Sequence, residues 1–397
     1  MKTLRILGTR GIPAAHGGFE TFAENLALYL RDQGWRVIVY CQETGCAPVV
    51  HDKWNGIERV RISVAGDGAA STIMFDWLSI WDASKTKDLC LTLGYNTAIF
   101  DTVLRLKGVP NIINMDGIEW TRAKWSKPAK TWFWMNDWIG CWVGNHLVAD
   151  HPAIKTHLKT RVSDKKITMI PYGAVAVEDA PTAPVEALGL TPGRYLTVIA
   201  RPEPENSLLE IVTAFSTKHR GYKLAVLGKY STKDKYQKSV LDAASDEVCF
   251  LGPIYDQATV QSLRFHGAAY VHGHQVGGTN PSLVEAMGAG NAILAHSNRF
   301  NKWVAGDSAG YFESVEALSD WFDKVLSQPA LLERMKDASR MRFQQALTWP
   351  IVLSQYEELL SRMNPSRDTF VHSFCDTAAA GLIPPSHKAS VKTKQQL

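Results

Sequence analysis

Two kinds of hydrophobic pattern alternate from the start of the chain. Residues 3–7, "TLRIL", form a short, mostly apolar run that is typical of a buried strand. Between Phe22 and Leu30 the apolar residues instead recur with helical spacing, and Gly34 follows at the place of a helix C-cap. The next run, "WRVIVY", is again strand-like, so the pattern predicts a strand, helix, strand unit.

The same alternation continues along both halves of the chain. The strand-like runs are "LCLTLG", "NIINMD" and "HLVAD" in the first half, and "YLTVIA", "KLAVLG", "VCFLG", "AAYVHG" and "NAILAH" in the second. Helix-like stretches separate them, an order typical of mostly parallel sheets covered on both faces. We therefore expect an α/β protein with two Rossmann-like domains that face each other.

A turn-rich passage, "PYGAVAVEDAPTAPVEALGLTPG", separates the two series of strands. The predicted boundaries are 1–171 for the first domain, 172–192 for a linker, 193–348 for the second domain, 349–363 for a final helix and 364–397 for a tail. The tail loses apolar periodicity and becomes small, polar and basic, so we expect its last half to be disordered.

Composition excludes several classes of protein. A chain of 397 residues is too long for one ordinary core, and 45% hydrophobic with 21% charged residues is typical of a globular protein. Lys and Arg (43) exceed Asp and Glu (39) by only four, which argues against a dedicated nucleic-acid binder. The six cysteines lack C-x-x-C pairs, which favours reduced thiols and a cytoplasmic protein.

No targeting or membrane-spanning segment is predicted. The apolar run in "MKTLRILGTRGIP" is too short for the central part of a signal peptide. The most apolar long window, residues 131–149, contains too many polar side chains for a transmembrane helix.

The loops after the predicted strands hold the candidate chemistry, because parallel sheets bind ligands beyond the carboxyl ends of their strands. Four blocks, "GTRGIPAAHGGFETFAENLA", "NMDGIEWTRAKWS", "ADHPAIKTHL" and "HGHQVGGTNPSLVEAM", together resemble the retaining glycosyltransferases of family four. The resemblance covers roughly residues 1–363, and within the family it is to bacterial rhamnosyltransferases of capsule and O-antigen assembly. It implies the GT-B fold with a C-terminal crossover helix at 349–363, a nucleotide-sugar donor, an acceptor-binding first domain, and no bound metal or cofactor.

The glycines of the first block do not have dinucleotide-binding G-x-G-x-x-G spacing. Gly17 and Gly18 precede the first predicted helix, where small residues and free N–H groups favour an anion such as a diphosphate. The alternative is that this pair only makes a tight turn against the sheet.

A second candidate anion site precedes a helix of the second domain. Asn280 suits the N-cap and Pro281 the first helical turn. The resemblance implies that the donor is bound by residues of this segment: Gly278, Thr279, Asn280, Pro281, Ser282, Leu283 and Glu285. Glu285 would accept a hydrogen bond from the sugar of the nucleoside.

Two positions depart from the wider family. Gly277 stands where many relatives have a glutamate, and Asn206 stands where many have a phosphate-binding lysine. Arg201 is retained and is predicted to clamp phosphate and to act in catalysis, although an arginine at a strand end is also often a plain surface residue. His274 is predicted to contact the donor and His272 to pack at the strand end, since no zinc-like ligand spacing is present.

Carboxylates follow the strand "NIINM". Asp116 and Glu119 are predicted to bind the acceptor, with Asp116 orienting it in catalysis, because two close carboxylates can do acid and base work. The alternative is a helix cap and a first-turn glutamate. Asp150 and His151 are interpreted only as caps of the helix that Pro152 begins.

Aromatic and basic residues concentrate between positions 120 and 142, a combination that favours contact with an anionic membrane surface. They are Trp120, Trp125, Trp132, Trp134, Trp138, Trp142, Arg122, Lys124, Lys127 and Lys130. The alternative is that some of these rings pack in the core, and we expect the segment to show both membrane contact and core packing.

With the resemblance, these observations predict an enzyme that moves L-rhamnose from dTDP-rhamnose to a saccharide carried on polyprenyl diphosphate, at the inner face of the membrane. A transferase with another donor, such as a UDP-hexose, is the nearest alternative, followed by a nucleotide-sugar epimerase. An NAD oxidoreductase fits worse because no G-x-G-x-x-G opens the first helix, and a noncatalytic scaffold leaves the paired anion sites unexplained.

Overall fold

The computed structural model describes residues 2–15 and 17–364. The predicted disorder of the tail concerns residues outside this part of the chain. The described residues form two α/β domains and a final helix that joins them.

The first domain is built on an eight-stranded sheet with the order β3-β4-β2-β1-β5-β6-β7-β8. Its strands are β1 (Thr3–Leu7), β2 (Arg36–Thr44), β3 (Val50–Trp54), β4 (Ile57–Val64), β5 (Leu89–Leu93), β6 (Asn111–Asn114), β7 (His146–Ala149) and β8 (Ile167–Met169). Its helices are α1 (Gly18–Asp32), α2 (Ala69–Ala83), α3 (Thr102–Leu106), α4 (Lys127–Val143) and α5 (Pro152–Leu158). Every residue of the central strands β5, β6 and β7 is buried, as expected for a parallel sheet covered on both faces.

One edge of this sheet is an antiparallel hairpin of β3 and β4, which the hydrophobic pattern did not predict. Asn55 and Gly56 join the two strands with φ angles of 46° and 82°. Such an Asn-Gly pair is a strong hairpin signal, because both residues tolerate positive φ. The remaining strand pairs of the sheet are parallel.

The second domain has a six-stranded parallel sheet with the order β11-β10-β9-β12-β13-β14. A short helix, α6 (Ala183–Ala187), precedes it. Its strands are β9 (Tyr195–Ile199), β10 (Lys223–Leu227), β11 (Val248–Gly252), β12 (Ala269–His272), β13 (Ala292–His296) and β14 (Gly310–Phe312). Its helices are α7 (Leu208–Ser216), α8 (Lys235–Asp242), α9 (Gln257–Phe265), α10 (Pro281–Gly288), α11 (Arg299–Ala305), α12 (Val315–Ser327) and α13 (Pro329–Ala346).

The last helix, α14 (Trp349–Met363), returns to the first domain. Its buried apolar residues belong to the same core as β1, β5 and α1. Tyr356 packs on Phe22 with ring centroids 4.6 Å apart, and its hydroxyl accepts a hydrogen bond of 2.9 Å from Asn114. The two Rossmann-like domains and the crossover helix are therefore as the sequence predicts. Among the described residues, no helix is both long and apolar enough to cross a membrane.

Candidate functional site

The carboxyl ends of the two sheets face each other across a cleft. Its cavity of about 270 Å³ is lined by residues that follow β6 and β7, by α1, and by the loops after β9 and β12. The predicted site residues that line it are Gly18, Asp116, Glu119, Arg201, His274, Gly278, Thr279, Asn280 and Pro281. Ser282 lines an adjoining space of about 230 Å³ that shares Arg201 and His274.

Three predicted donor residues do not line the cleft. Leu283 is fully buried in the core beneath α10. Glu285 forms an ion pair of 2.6 Å with Arg264, so its carboxylate already has a partner. Gly17 is the N-cap of α1 with an extended backbone, and it lies beside Glu20 rather than at the cavity.

The glycine at the start of α1 serves the contact between the domains. A Cβ at Gly18 would lie only 3.0 Å from Cγ of Pro281, the first residue of α10. The first turns of α1 and α10 therefore meet across the cleft, an arrangement that neither interpretation of the glycine pair included. The first turn of α1 also holds a buried carboxylate, since Glu20 accepts a hydrogen bond of 3.0 Å from the N–H of Arg10.

Helix α10 begins as the sequence predicts. The side chain of Asn280 accepts a hydrogen bond of 3.0 Å from the N–H of Ser282, and Pro281 occupies the first helical turn. The N-terminus of this helix therefore opens into the cleft with an ordered cap, which is a favourable environment for an anion.

Asp150 is the residue that sequence reasoning missed. Its Oδ2 accepts a hydrogen bond of 2.8 Å from the N–H of Thr279, and the Thr279 hydroxyl donates to its backbone carbonyl. A Cβ at Gly278 would lie 2.1 Å from Oδ1 of Asp150, so any larger residue there would displace this carboxyl. The cap of α5 is instead His151, whose Nδ1 accepts a hydrogen bond of 3.0 Å from the N–H of Ala153.

The two aspartates that line the cleft, Asp116 and Asp150, have raised pKa values. Burial, with a contribution from the charge of Asp116, raises the pKa of Asp150 to about 7. Burial and the neighbouring Glu119 raise the pKa of Asp116 to about 6. Both carboxyls can therefore exchange a proton near neutral pH, which is the property required of a general acid or base.

Glu119 is occupied by ion pairing. Arg122 donates to it at 2.7 Å and to Glu205 of the second domain at 2.9 Å, while Trp125 donates to its other oxygen at 3.0 Å. Lys124 lies 3.6 Å from Glu203 in a second ion pair between the domains. These contacts tie the loop after β6 to the loop after β9.

Arg201 and His274 lie on the second-domain side. Within the described residues, no ion pair involves Arg201, and its side chain lines both cavities. His274 lies with Nδ1 2.5 Å from Oδ1 of Asn206, while the amide of Asn206 donates to the carbonyl of Arg201 at 2.7 Å. Asn206, where relatives have a lysine, thus holds both predicted donor residues in place.

The imidazole of His274 is neutral, because burial and then the charge of Arg122 lower its pKa to about 4. Gly277 has a φ of 120°, and a Cβ there would lie 3.2 Å from Nε2 of His274. His272 is buried beside Tyr270 and His274, with ring centroids 5.9 Å apart in each case, and burial lowers its pKa well below its ordinary value. Within residues 2–15 and 17–364, no group of three His, Cys, Asp or Glu side chains is arranged to hold a metal ion.

Several members of the aromatic and basic segment face inward. The indole N–H groups of Trp120 and Trp132 donate at 2.8 Å to Asp137 and to the carbonyl of Asn96. Trp134 and Trp142 are 48% and 63% exposed. The segment therefore combines partly buried and exposed tryptophans, none of them in a core cluster of the described residues, and its contact with a membrane stays a prediction.

Comparison with known proteins places this geometry in context. Residues 1–175 match a family model described as a domain of unknown function, DUF1972. No curated protein matches the chain significantly by sequence.

Solved structures match nearly the whole chain. Sucrose-phosphate synthase from Thermosynechococcus elongatus has a TM-score of 0.74 at 15% identity, covering 91% of this chain and 99% of that one. HepE from Anabaena, in complex with UDP, has a TM-score of 0.69 at 12% identity, covering 91% and 100%. Trehalose 6-phosphate synthase from Burkholderia multivorans has a TM-score of 0.69 at 12% identity, covering 96% and 99%. The chain thus has the GT-B fold of two facing Rossmann-like domains.

Proposed function

We propose that this protein is a retaining glycosyltransferase that moves a sugar from a nucleoside-diphosphate donor to a saccharide hydroxyl in the cleft. The observation that carries the proposal is the pairing of two unlike walls. The N-terminus of α10 and Arg201 face two partly buried carboxyls, Asp116 and Asp150, across one cavity.

The second-domain wall suits the donor diphosphate. The start of α10 offers a positive dipole end, and Arg201 offers a guanidinium that binds phosphate oxygens in a bidentate manner. In the proposed reaction these groups stabilise the negative charge that develops on the leaving diphosphate. The leaving diphosphate takes the proton of the acceptor on the face of attack, so that no protein nucleophile is needed and configuration is retained.

The first-domain wall suits a hydroxyl acceptor. Asp116 is the free carboxyl at the end of β6, whereas Glu119 is held by Arg122 and Trp125. We assign Asp116 the orientation of the acceptor hydroxyl and give Glu119 a positioning role through its ion pair. Asp150 lies beside the donor wall and sets the charge there by its protonation state.

For the donor itself we propose dTDP-rhamnose, with a saccharide on polyprenyl diphosphate as acceptor. The resemblance of the four sequence blocks supports rhamnose. The glycine at 277 also favours a deoxysugar donor, because it offers no carboxylate to a further sugar hydroxyl. The ion pair of Glu285 with Arg264 favours it for the same reason, because that carboxylate is already occupied. The competing donor is a UDP-hexose, favoured by the likeness to HepE, which was solved in complex with UDP.

Calorimetric titration of dTDP-rhamnose, UDP-glucose and UDP-N-acetylglucosamine against the full chain tests this proposal. We expect all three to compete for one site and dTDP-rhamnose to bind most tightly. A preference for a UDP-sugar overturns the rhamnose donor but keeps the transferase. Failure of all three to bind overturns the glycosyltransferase.

A further inference from the structure

Helix α2 carries an apolar outer face. Five of its large apolar side chains are between 36% and 53% exposed: Ile73, Met74, Trp77, Leu78 and Trp81. Their spacing places them on one side of the helix, while Phe75, Ser79 and Ile80 are buried on the other. A surface helix normally has a polar outer face, so an apolar one indicates a contact with something outside this domain.

The apolar area continues onto α3. Leu106 is 82% exposed, and Nζ of Lys107 lies 4.3 Å from the ring centroid of Trp81. Trp77 packs against both Trp81 and Phe100, with ring centroids 5.7 Å and 5.4 Å apart. We use the name α2–α3 face for Ile73, Met74, Trp77, Leu78, Trp81 and Leu106.

Cations border this face. Lys87, Arg105 and Lys107 are exposed, and none of them forms an ion pair within the described residues. Two nearby carboxylates are engaged elsewhere, since Asp88 pairs with Arg5 and Asp82 pairs with Lys85, and Asp67 lies before the first turn of α2, away from Lys107 and Trp81 in the sequence. The border is therefore positively charged.

We infer that the α2–α3 face docks on an anionic lipid bilayer, with α2 lying in the plane of the headgroups. Tryptophan rings settle at headgroup depth, apolar side chains enter the acyl boundary, and lysine and arginine meet the anionic headgroups. This combination is what an interfacial helix presents.

A second copy of the chain is the competing occupant, and the charges argue against it. In a twofold-symmetric contact the same patch meets itself, so the interface would hold two copies each of Lys87, Arg105 and Lys107. Like charges brought together in that way oppose association, whereas an anionic bilayer complements them.

The face also differs from the aromatic segment of residues 120–142. There Arg122 and Lys124 pair with Glu205 and Glu203, so those cations are committed to the cleft. Lys127 and Lys130 of that segment also form no ion pair within the described residues, so what distinguishes the α2–α3 face is that exposed aliphatic side chains adjoin its rings. This inference extends the lipid-linked acceptor of the proposed function, because docking here would bring the first domain to the lipid surface.

Co-sedimentation with vesicles tests the inference, using phosphatidylcholine alone and phosphatidylcholine mixed with phosphatidylglycerol. We expect the wild-type chain to sediment only with the anionic vesicles. The Met74→Ser/Trp77→Ser/Trp81→Ser variant should lose roughly tenfold or more in binding. Removing Lys87, Arg105 and Lys107 by substitution to Ser should lower binding about fivefold for each charge at low salt, and less at high salt.

The comparison variant is Trp134→Ser/Trp142→Ser, which removes two tryptophans of α4 that are 48% and 63% exposed. Binding that is kept in this variant and lost in the α2 variant supports the α2–α3 face, and the reverse result overturns it. A second measurement does not depend on how the serine variants fold. Brominated lipids should quench the tryptophan emission of the wild type, and less so in Trp77→Phe/Trp81→Phe.

Two results overturn the inference. One is that the wild-type chain does not sediment with anionic vesicles at low salt. The other is a wild-type dimer that the α2 substitutions convert to a monomer in analytical ultracentrifugation, since the face is then an interface between copies. Donor titration of the same samples reports on the proposed function separately, because it needs no lipid.

Discussion

The two walls of the cleft are built from the same structural unit and have opposite chemistry. Each is formed by loops at the carboxyl ends of a parallel sheet. The first-domain wall presents Asp116 and Asp150, partly buried carboxyls with raised pKa values. The second-domain wall presents a helix N-terminus, Arg201 and a neutral His274. The shared fold therefore fixes where the cleft lies, and the loops give its two walls their different chemistry.

The walls also touch, and their contacts are polar. Asp150 accepts a hydrogen bond from the N–H of Thr279, next to the start of α10. Arg122 forms ion pairs with both Glu119 and Glu205. A bound diphosphate would seek the same region of α10 that Asp150 occupies. Changing the charge of Asp150 is therefore the most direct test of the difference between the two walls.

The largest expected effect belongs to the acceptor wall. Asp116→Asn keeps the shape of the side chain but replaces the carboxylate that orients the acceptor hydroxyl by a neutral amide, so the rate of sugar transfer should fall about 100-fold. Donor affinity should change little, because the donor contacts lie on the other wall. The measurement is transfer of labelled rhamnose to a lipid-linked acceptor, with Asp164→Asn, a half-exposed aspartate at the amino end of β8, as control. Equal rates for the two variants would remove Asp116 from the site.

The next effect belongs to the donor wall. Arg201→Ala should weaken nucleoside-diphosphate binding by about 1.5–3 kcal/mol, the range for hydrogen bonds to charged groups. The nucleoside alone should bind as before, because it lacks the phosphates. Arg194→Ala is the matched control, since Arg194 is exposed at the opposite end of the same strand, β9. If both ligands lose affinity in Arg201→Ala, the arginine acts through folding.

The sequence predicted the cap of α10 but not the contact that Asp150 makes with it, and the reason is the range of the interactions. The cap by Asn280 and the place of Pro281 are local, so a few neighbouring residues specify them. The contact of Asp150 with Thr279 joins residues 129 positions apart and depends on how two domains pack. No periodicity or spacing within one segment can reveal such a contact.

Elsewhere in the fold, one local signal was missed, and two long-range contacts lay beyond what a single segment can reveal. Continuous apolar runs predicted the buried parallel strands, whereas the β3–β4 hairpin was missed although the Asn55–Gly56 pair is a local signal for it. Glu285 was predicted at the donor, but its partner Arg264 lies on α9, outside the motif that was considered. The close approach of Gly18 to Pro281 likewise exists only when both domains are in place.

A smaller effect is expected from the protonation of Asp150. Its pKa is raised to about 7, so the carboxyl is mostly neutral below pH 7 and negative above it. Donor affinity should therefore fall as pH rises through about 7, by at most about tenfold per unit, because the donor is an anion beside this carboxylate. Calorimetric titration of the donor between about pH 6 and about pH 8.5, which spans this pKa, measures the change in affinity.

Asp150→Asn should flatten this dependence, while Asp116 still titrates near pH 6 in that variant. The same raised pKa affects folding. Stability from Asp150 is fully present below its ordinary value of 3.8 and is lost as pH rises through about 7, because burial opposes the charged form. An unchanged pH dependence of donor affinity in Asp150→Asn would place the titrating group elsewhere.

The smallest expected effect comes from the outermost contact between the walls, the ion pair of Lys124 with Glu203. Its atoms are 3.6 Å apart and both side chains are about a quarter exposed, so solvent screens the pair. Such pairs typically contribute about 0.2–1 kcal/mol. A double-mutant cycle with Lys124→Ser and Glu203→Ser, followed by urea unfolding, should give a coupling in that range. The matched cycle with Lys127→Ser should give none, because Lys127 forms no ion pair within the described residues. A coupling free energy of zero between Lys124 and Glu203 would mean that this lysine is available to contact a membrane surface. The two walls would then be joined through Arg122 and Asp150.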